Sequence, residues 1–270
     1  MRGFVVVCAL VCGSVIAQEK TRVAAVPKKP TASSIWKSLG KSRGGRAIEG
    51  LKSGTGEFKV LIVASLNGYD PTATKLVENA AAQVVRDSAI IGGFRSVVVR
   101  NPNPDGVALR RTANADGVRI ATSFAKNAAN REPETSFMIR LLRDYKPHRV
   151  IHITTGSSSD ALVLHNETGR DIATDFASWM NAKTRNARRF SPVGSMEQFV
   201  GESAEIITLV LPKAQPATDA WKKYGDGLLA VLAPSEPVED WPPPTAWNEK
   251  DFQPAKVLRS GQATEVKPKK

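Results

Sequence analysis

Between residues 35 and 232 the hydrophobic positions alternate between two periods. Residues 59–64 form a short apolar run that stops at Asn67-Gly68, as a buried strand does. Residues 71–86 follow, with Leu76, Val77, Ala80, Ala81 and Val84 at helical spacing. Residues 95–100 are β-branched and strand-like, ended by Asn101-Pro102-Asn103-Pro104-Asp105-Gly106. Residues 132–145 read as an amphipathic helix carrying Phe137, Ile139, Leu141 and Leu142. Residues 149–154 and 206–211 read as third and fourth strands, and 217–232 as a closing helix. Strands alternating with helices predict one α/β domain of three layers, a mixed, mostly parallel sheet flanked by helices. Ligands of such sheets sit where strands pass into loops at their carboxyl ends. That places the informative positions at 67–70, 103–112, 154–159 and 210–212.

The two ends read differently. Residues 1–17 have the form of a secretory signal peptide, with Arg2 ahead of a short apolar run and small residues before a cut at Gln18. The expected location is therefore secreted or periplasmic. Cleavage would remove Cys8 and Cys12, the only cysteines, and with them any thiol or disulfide chemistry. Residues 18–34 read as a linker rich in Lys, Pro and Ala. Residues 233–270 read as a Pro-rich, Lys-ended tail bearing Trp241 and Trp247, which cannot run as helix or central strand. No apolar run beyond the N-terminus is long enough to span a bilayer.

The 38 Lys and Arg against 26 Asp and Glu give a formal charge of +12. A basic exported chain is drawn to acidic envelope polymers or anionic surfaces. No nucleic-acid recognition motif is present, and nucleic acid is not an expected partner.

Several blocks then add a more specific picture. Ser42-Arg43-Gly44-Gly45-Arg46-Ala47-Ile48, the run from Val60 to Pro71, Asn103-Pro104-Asp105-Gly106, Asn114-Ala115-Asp116-Gly117-Val118, Glu132-Pro133-Glu134-Thr135, Gly194-Ser195 and Thr208-Leu209-Val210-Leu211-Pro212 occur in one order. In that order they resemble the zinc carboxypeptidases, in particular the murein-peptide amidase-like branch. The resemblance implies a zinc-carboxypeptidase-like fold over 35–232. In that family three side chains hold zinc and leave a position for water, a carboxylate serves as general base, and arginines bind a substrate carboxylate or the oxyanion.

Carried over by position, the resemblance puts the zinc ligands at Asn67, Asp70 and Thr154 and the general base at Val210. The carboxylate-gripping pair falls on Ala121 and Thr122, and a family Asp on Arg119. Only the oxyanion arginine is kept, at Arg110 or Arg111. Neutral amide and hydroxyl oxygens are weak zinc donors, and a valine accepts no proton. The expectation is a degenerate relative with no catalytic residue and no cofactor, binding peptides or peptidoglycan fragments with Arg110 and Arg111 as ligand contacts. In the alternative, His152, two residues before Thr154 on the same strand face, joins Asn67 and Asp70 in an atypical zinc site of a working hydrolase. A further alternative is a structural protein of the envelope.

Other candidates have simpler expected roles. Asp105 is explained by turn formation with Gly106. His165 falls in a polar loop. Arg110, Arg111, Arg119, Arg185, Arg188 and Arg189 fall in loops as a basic surface or a carboxylate-attracting cleft, and Trp179 and Trp221 fall in the core.

Overall fold

The computed structural model describes residues 35–87, 93–127 and 130–234. The expected signal peptide, linker and tail, at 1–34 and beyond 234, lie outside the described residues. Eight strands form one sheet: β1 (Lys37–Lys41), β2 (Ala47–Gly54), β3 (Phe58–Val63), β4 (Phe94–Val99), β5 (Arg149–Thr155), β6 (Leu162–His165), β7 (Lys183–Asn186) and β8 (Glu205–Leu211). Their order is β1-β2-β4-β3-β5-β8-β6-β7. The four central strands, β4, β3, β5 and β8, are mutually parallel. β2 and β6 flank them antiparallel. The helices are α1 (Pro71–Arg86), α2 (Pro104–Ala108), α3 (Pro133–Tyr145), α4 (Arg170–Trp179), α5 (Ala187–Phe190), α6 (Met196–Val200) and α7 (Ala217–Ala230).

The four strands expected from apolar runs are the four central ones. Buried on both faces, they must be apolar almost throughout, which is why they stand out in the sequence. Helices α1, α4 and α7 cover one face, over a core of Phe58, Val60, Ile62, Ile151, Ile153, Leu209 and their neighbours. Helices α3 and α6 cover the other, over Leu61, Val63, Val97, Val150 and Ile206. This is the three-layer α/β arrangement the sequence predicts.

Three expectations are corrected. Trp179 is 66% exposed at the end of α4 and is not a core residue; Trp221 packs against the core only in part. His165 is not in a loop: it ends β6, is buried, and has Nδ1 2.8 Å from the carbonyl of Asn166. Arg185 lies in β7 and Arg188 and Arg189 in α5, so these three are not loop residues.

The amino ends of the parallel strands are closed by Arg149. It is fully buried, its Nε lies 2.5 Å from Glu205 Oε2, and its Nη1 donates to the carbonyls of Val231 and Ala233 at 2.6 Å each. The guanidinium lies 4.9 Å from the centre of the Phe58 ring. One side chain thus joins β5, β8 and the exit of α7. Removing it leaves Glu205 and two carbonyls without their donor, so Arg149→Ala is expected to lower stability by about 3–5 kcal/mol in urea unfolding.

His148 stacks on the other side chain of this corner, Phe58, at 5.2 Å. Its Nδ1 accepts from the Lys59 backbone N–H at 2.9 Å, which requires the unprotonated nitrogen. Burial, and then the Lys59 and Arg95 charges, push its pKa below the ordinary imidazole value of 6.5. A depressed histidine contributes stability that is present above 6.5 and lost as pH falls through its folded-state pKa. Unfolding free energy should therefore drop below pH 6.5, and His148→Gln should flatten that part of the profile.

Candidate functional site

The loop from β3 into α1 carries Asn67, Tyr69 and Asp70. It passes the carboxyl end of β5 at Thr154, and Thr154 is the register partner of Val210 in β8. Asn67 Nδ2 donates to Thr154 Oγ1 at 3.3 Å, and Ser65 Oγ lies 3.1 Å from the same oxygen. Asn67, Thr154 and Val210 are all half-buried at this strand end. Three of the positions that the resemblance singles out therefore meet in space, over more than 140 residues of chain.

Asp70 is employed differently. It caps α1, with Oδ1 accepting from the Ala73 N–H at 3.1 Å. The Thr155 N–H reaches Oδ2, and the Thr155 hydroxyl reaches Oδ1, both at 2.8 Å. The carboxylate thus fastens the start of α1 to the end of β5. Thr155 and Thr154 face opposite sides of the sheet.

His152 lies two residues deeper on the Thr154 face, opposite Thr208. Its Nδ1 is 2.7 Å from Glu197 Oε1, which also accepts from the Thr208 hydroxyl at 2.9 Å. Both His152 and Glu197 are buried. Burial alone would raise the Glu197 pKa; the His152 charge, followed by the hydrogen bonds, overrides it and holds the carboxyl at about 2. His152 Nε2 is buried without a hydrogen-bond partner among the described residues.

The two arginines part company. Arg110, in a left-handed conformation (φ 50°), lays its guanidinium 5.0 Å from the Tyr69 ring centre and donates to Tyr69 Oη at 2.9 Å. It therefore stands on the loop that carries Asn67. Arg111 turns to the next loop, with its guanidinium donating to the carbonyls of Ala113, Asn114 and Ala115. Its own carbonyl accepts from the Tyr69 N–H.

These donors do not fit a zinc ion. Asn67 offers an amide oxygen, Thr154 a hydroxyl already in two hydrogen bonds, and Asp70 a carboxylate committed to Thr155 and the helix start. Among the described residues no three His, Cys, Asp or Glu side chains are gathered as a metal would need.

Four of the blocks that carry the resemblance have a shared destination that the sequence does not announce. Asp105, fully buried in α2, accepts from Ser42 Oγ, the Gly44 N–H and Arg46 Nη1, each at 2.8 Å. Its role is thus to anchor the turn between β1 and β2, rather than merely to form a turn with Gly106. Beside it, the Arg43 N–H donates to Glu134 at 3.0 Å and the Arg43 guanidinium to Glu132 at 3.2 Å. Asn114 donates to Glu132 at 2.9 Å, and its carbonyl oxygen receives the N–H groups of Asp116 and Val118. Four separate blocks converge on one buried polar hub. The reach of α2 towards Asn67 needs two glycines: a Cβ on Gly68 (φ 72°) would lie 2.7 Å from the Gly106 Cα.

Burial raises the Asp105 pKa, but the Gly44 N–H, Arg46 and Ser42 outweigh it, so the net shift is downward from 3.8. The stability it contributes is present above pH 3.8 and lost as pH falls through the lower folded-state value. Asp105→Ala is expected to cost about 2–4 kcal/mol, because it strips buried donors of their acceptor, whereas Asn67→Ala at the half-buried strand end should cost about 1 kcal/mol or less. Thermal or urea unfolding of the two variants checks this.

No protein-family model matches the sequence, and neither does any curated protein sequence. Solved structures do match in shape. A metallo-carboxypeptidase from Burkholderia cenocepacia superposes with TM-score 0.62 at 17% identity, over 73% of this chain and 63% of that one. A metallo-carboxypeptidase from Pseudomonas aeruginosa, in complex with (2-guanidinoethylmercapto)succinic acid, gives 0.62 at 18%, over 74% and 65%. Murein-tripeptide amidase MpaA from Escherichia coli O157 gives 0.59 at 18%, over 74% of this chain and 93% of that one. The chain thus spans under two thirds of the two carboxypeptidases and nearly all of the amidase. At these identities the likeness concerns the fold, and the fold is that of the metallo-carboxypeptidases.

Proposed function

We propose that this chain is an exported, non-catalytic binding module on a zinc-carboxypeptidase-like scaffold. Its ligands would be peptides or peptidoglycan fragments. The observation that carries this reading is the pairing of Thr154 with Val210 at the carboxyl end of β5 and β8. The resemblance to the zinc carboxypeptidases would put a metal donor beside a proton acceptor at that spot, and here it holds a hydroxyl beside a hydrocarbon. Tyr69 and Arg110 stand on the adjoining loop, exposed, and offer an aromatic face with a fixed cation to a ligand carboxylate. Arg111 serves to hold the 113–115 loop.

A second reading has one observation in its favour. A histidine with Nδ1 on a carboxylate and Nε2 unpartnered is how metal-binding imidazoles are oriented. In that reading His152 would join Asn67 and Asp70 in an atypical metal site, with hydrolysis retained, and Asp70 would have to give up its bonds to Thr155.

The two readings separate in one set of measurements. The protein from Gln18 onward is incubated with the murein tripeptide in the presence of zinc, and both heat of binding and amine release are recorded. The module reading expects binding without release, and a loss of roughly tenfold in affinity for Arg110→Ala, the scale of a charge-assisted contact. Metal-dependent release that disappears in His152→Ala would overturn it.

A further inference from the structure

A second concavity lies at the opposite end of the sheet from Asn67 and Thr154, between the β1-β2-β4 edge and α3. Its volume is about 690 Å³, within the range of small-molecule sites. Val97 of β4 and Phe137 and Leu141 of α3 supply apolar walls. Gly40 of β1 lies so close to the Phe137 ring that a Cβ there would stand 2.8 Å from it. Arg95, the second residue of β4, marks the end of the sheet: Thr154 and Val210 lie at the other end of the parallel strands, about 20 Å away along six residues of strand.

The charges around this concavity are one-sided. Lys52, Arg95 and Arg140 line it, against Asp144 alone. Lys52 and Arg140 have no ion-pair partner among the described residues. Arg95 meets Glu57 through Nη2 at 3.2 Å, while its Nε is buried without a hydrogen-bond partner among the described residues. Lys52, Arg95 and Val97 share one face of the sheet, since Lys52 pairs with Val97 and alternate residues of β4 point the same way. Cations beside an apolar wall, with one donor left unsatisfied, describe a receptor for an anion with an apolar body.

We propose that this concavity is a binding site for organic anions, molecules that join a carboxylate, sulfonate or phosphate to an aromatic or aliphatic body. The anionic group is held by Lys52, Arg95 and Arg140, and the apolar body lies against Val97, Phe137 and Leu141. The site is independent of the proposed peptide-binding cleft, and either can fail without the other.

The test compares two fluorescent probes of nearly the same shape, anionic 1-anilinonaphthalene-8-sulfonate and neutral N-phenyl-1-naphthylamine. The protein is expected to bind the sulfonate roughly tenfold or more tightly than the neutral probe at low ionic strength, and the preference is expected to shrink with added salt. Lys52→Glu with Arg140→Glu should weaken sulfonate binding by at least about tenfold, with circular dichroism confirming the fold. Should that double variant fail to fold, Arg140→Gln is expected to cost about threefold on its own. Leu141→Trp, which fills the concavity, should block the probe, and decanoate should displace it from the unaltered protein. The proposal is overturned by an absence of sulfonate binding, by equal affinity for the two probes, or by binding that survives both the charge changes and Leu141→Trp.

Discussion

The architecture turns on a buried carboxylate that has no water to solvate it. Asp105 is enclosed completely, yet it stays in the charged range because a hydroxyl, a backbone N–H and a guanidinium from the 42–46 turn all point at it. A buried charge of this kind is tolerable only while every donor is present. Satisfying Asp105 therefore fixes the turn between β1 and β2, and with it the edge of the sheet. Glu132, Glu134 and Asn114 extend the same constraint to the start of α3 and to the 114–118 loop. Glu134 shows the cost of the arrangement, for burial drives its pKa upward despite its hydrogen bonds.

This hub gathers residues that are far apart in the chain. Four of the seven blocks that resemble the carboxypeptidases, Ser42 to Arg46, Asn103 to Gly106, Asn114 to Val118 and Glu132 to Thr135, supply the hub. Asn67, Thr154 and Val210, the positions where the resemblance would put metal donors and a base, are half-buried at the strand ends, with Asn67 and Ser65 hydrogen-bonded to Thr154. Losing a hub residue would strand buried polar groups, whereas changing a strand-end residue is expected to cost little stability. The residues that hold the scaffold together are therefore distinct from those at the strand ends. Asp70 differs from these three, because its carboxylate caps α1 and fastens Thr155.

The legible part of the fold was the part buried on both sides. β3, β4, β5 and β8 are nearly continuous apolar runs, and α1 and α3 show their faces at helical spacing. The edge strands were not legible, for physical reasons. β1 and β7 read Lys-Ser-Leu-Gly-Lys and Lys-Thr-Arg-Asn, and their partners rather than their own hydrophobicity make them strands. The meeting of Asn67, Thr154 and Val210 followed from the resemblance, since no local pattern links residues so far apart. The pairing of His152 with Glu197 had no such guide, because Glu197 sits in a helix of five residues. The different fates of Arg110 and Arg111 depend on one left-handed residue, which a sequence of two arginines does not announce.

The central claim is that the strand-end donors do not make a zinc centre. Its most direct test is the zinc content of the protein from Gln18 onward, after incubation with excess zinc and desalting, by elemental mass spectrometry. The account predicts a stoichiometry near zero. A stoichiometry near one per chain, lost in His152→Ala, would contradict it.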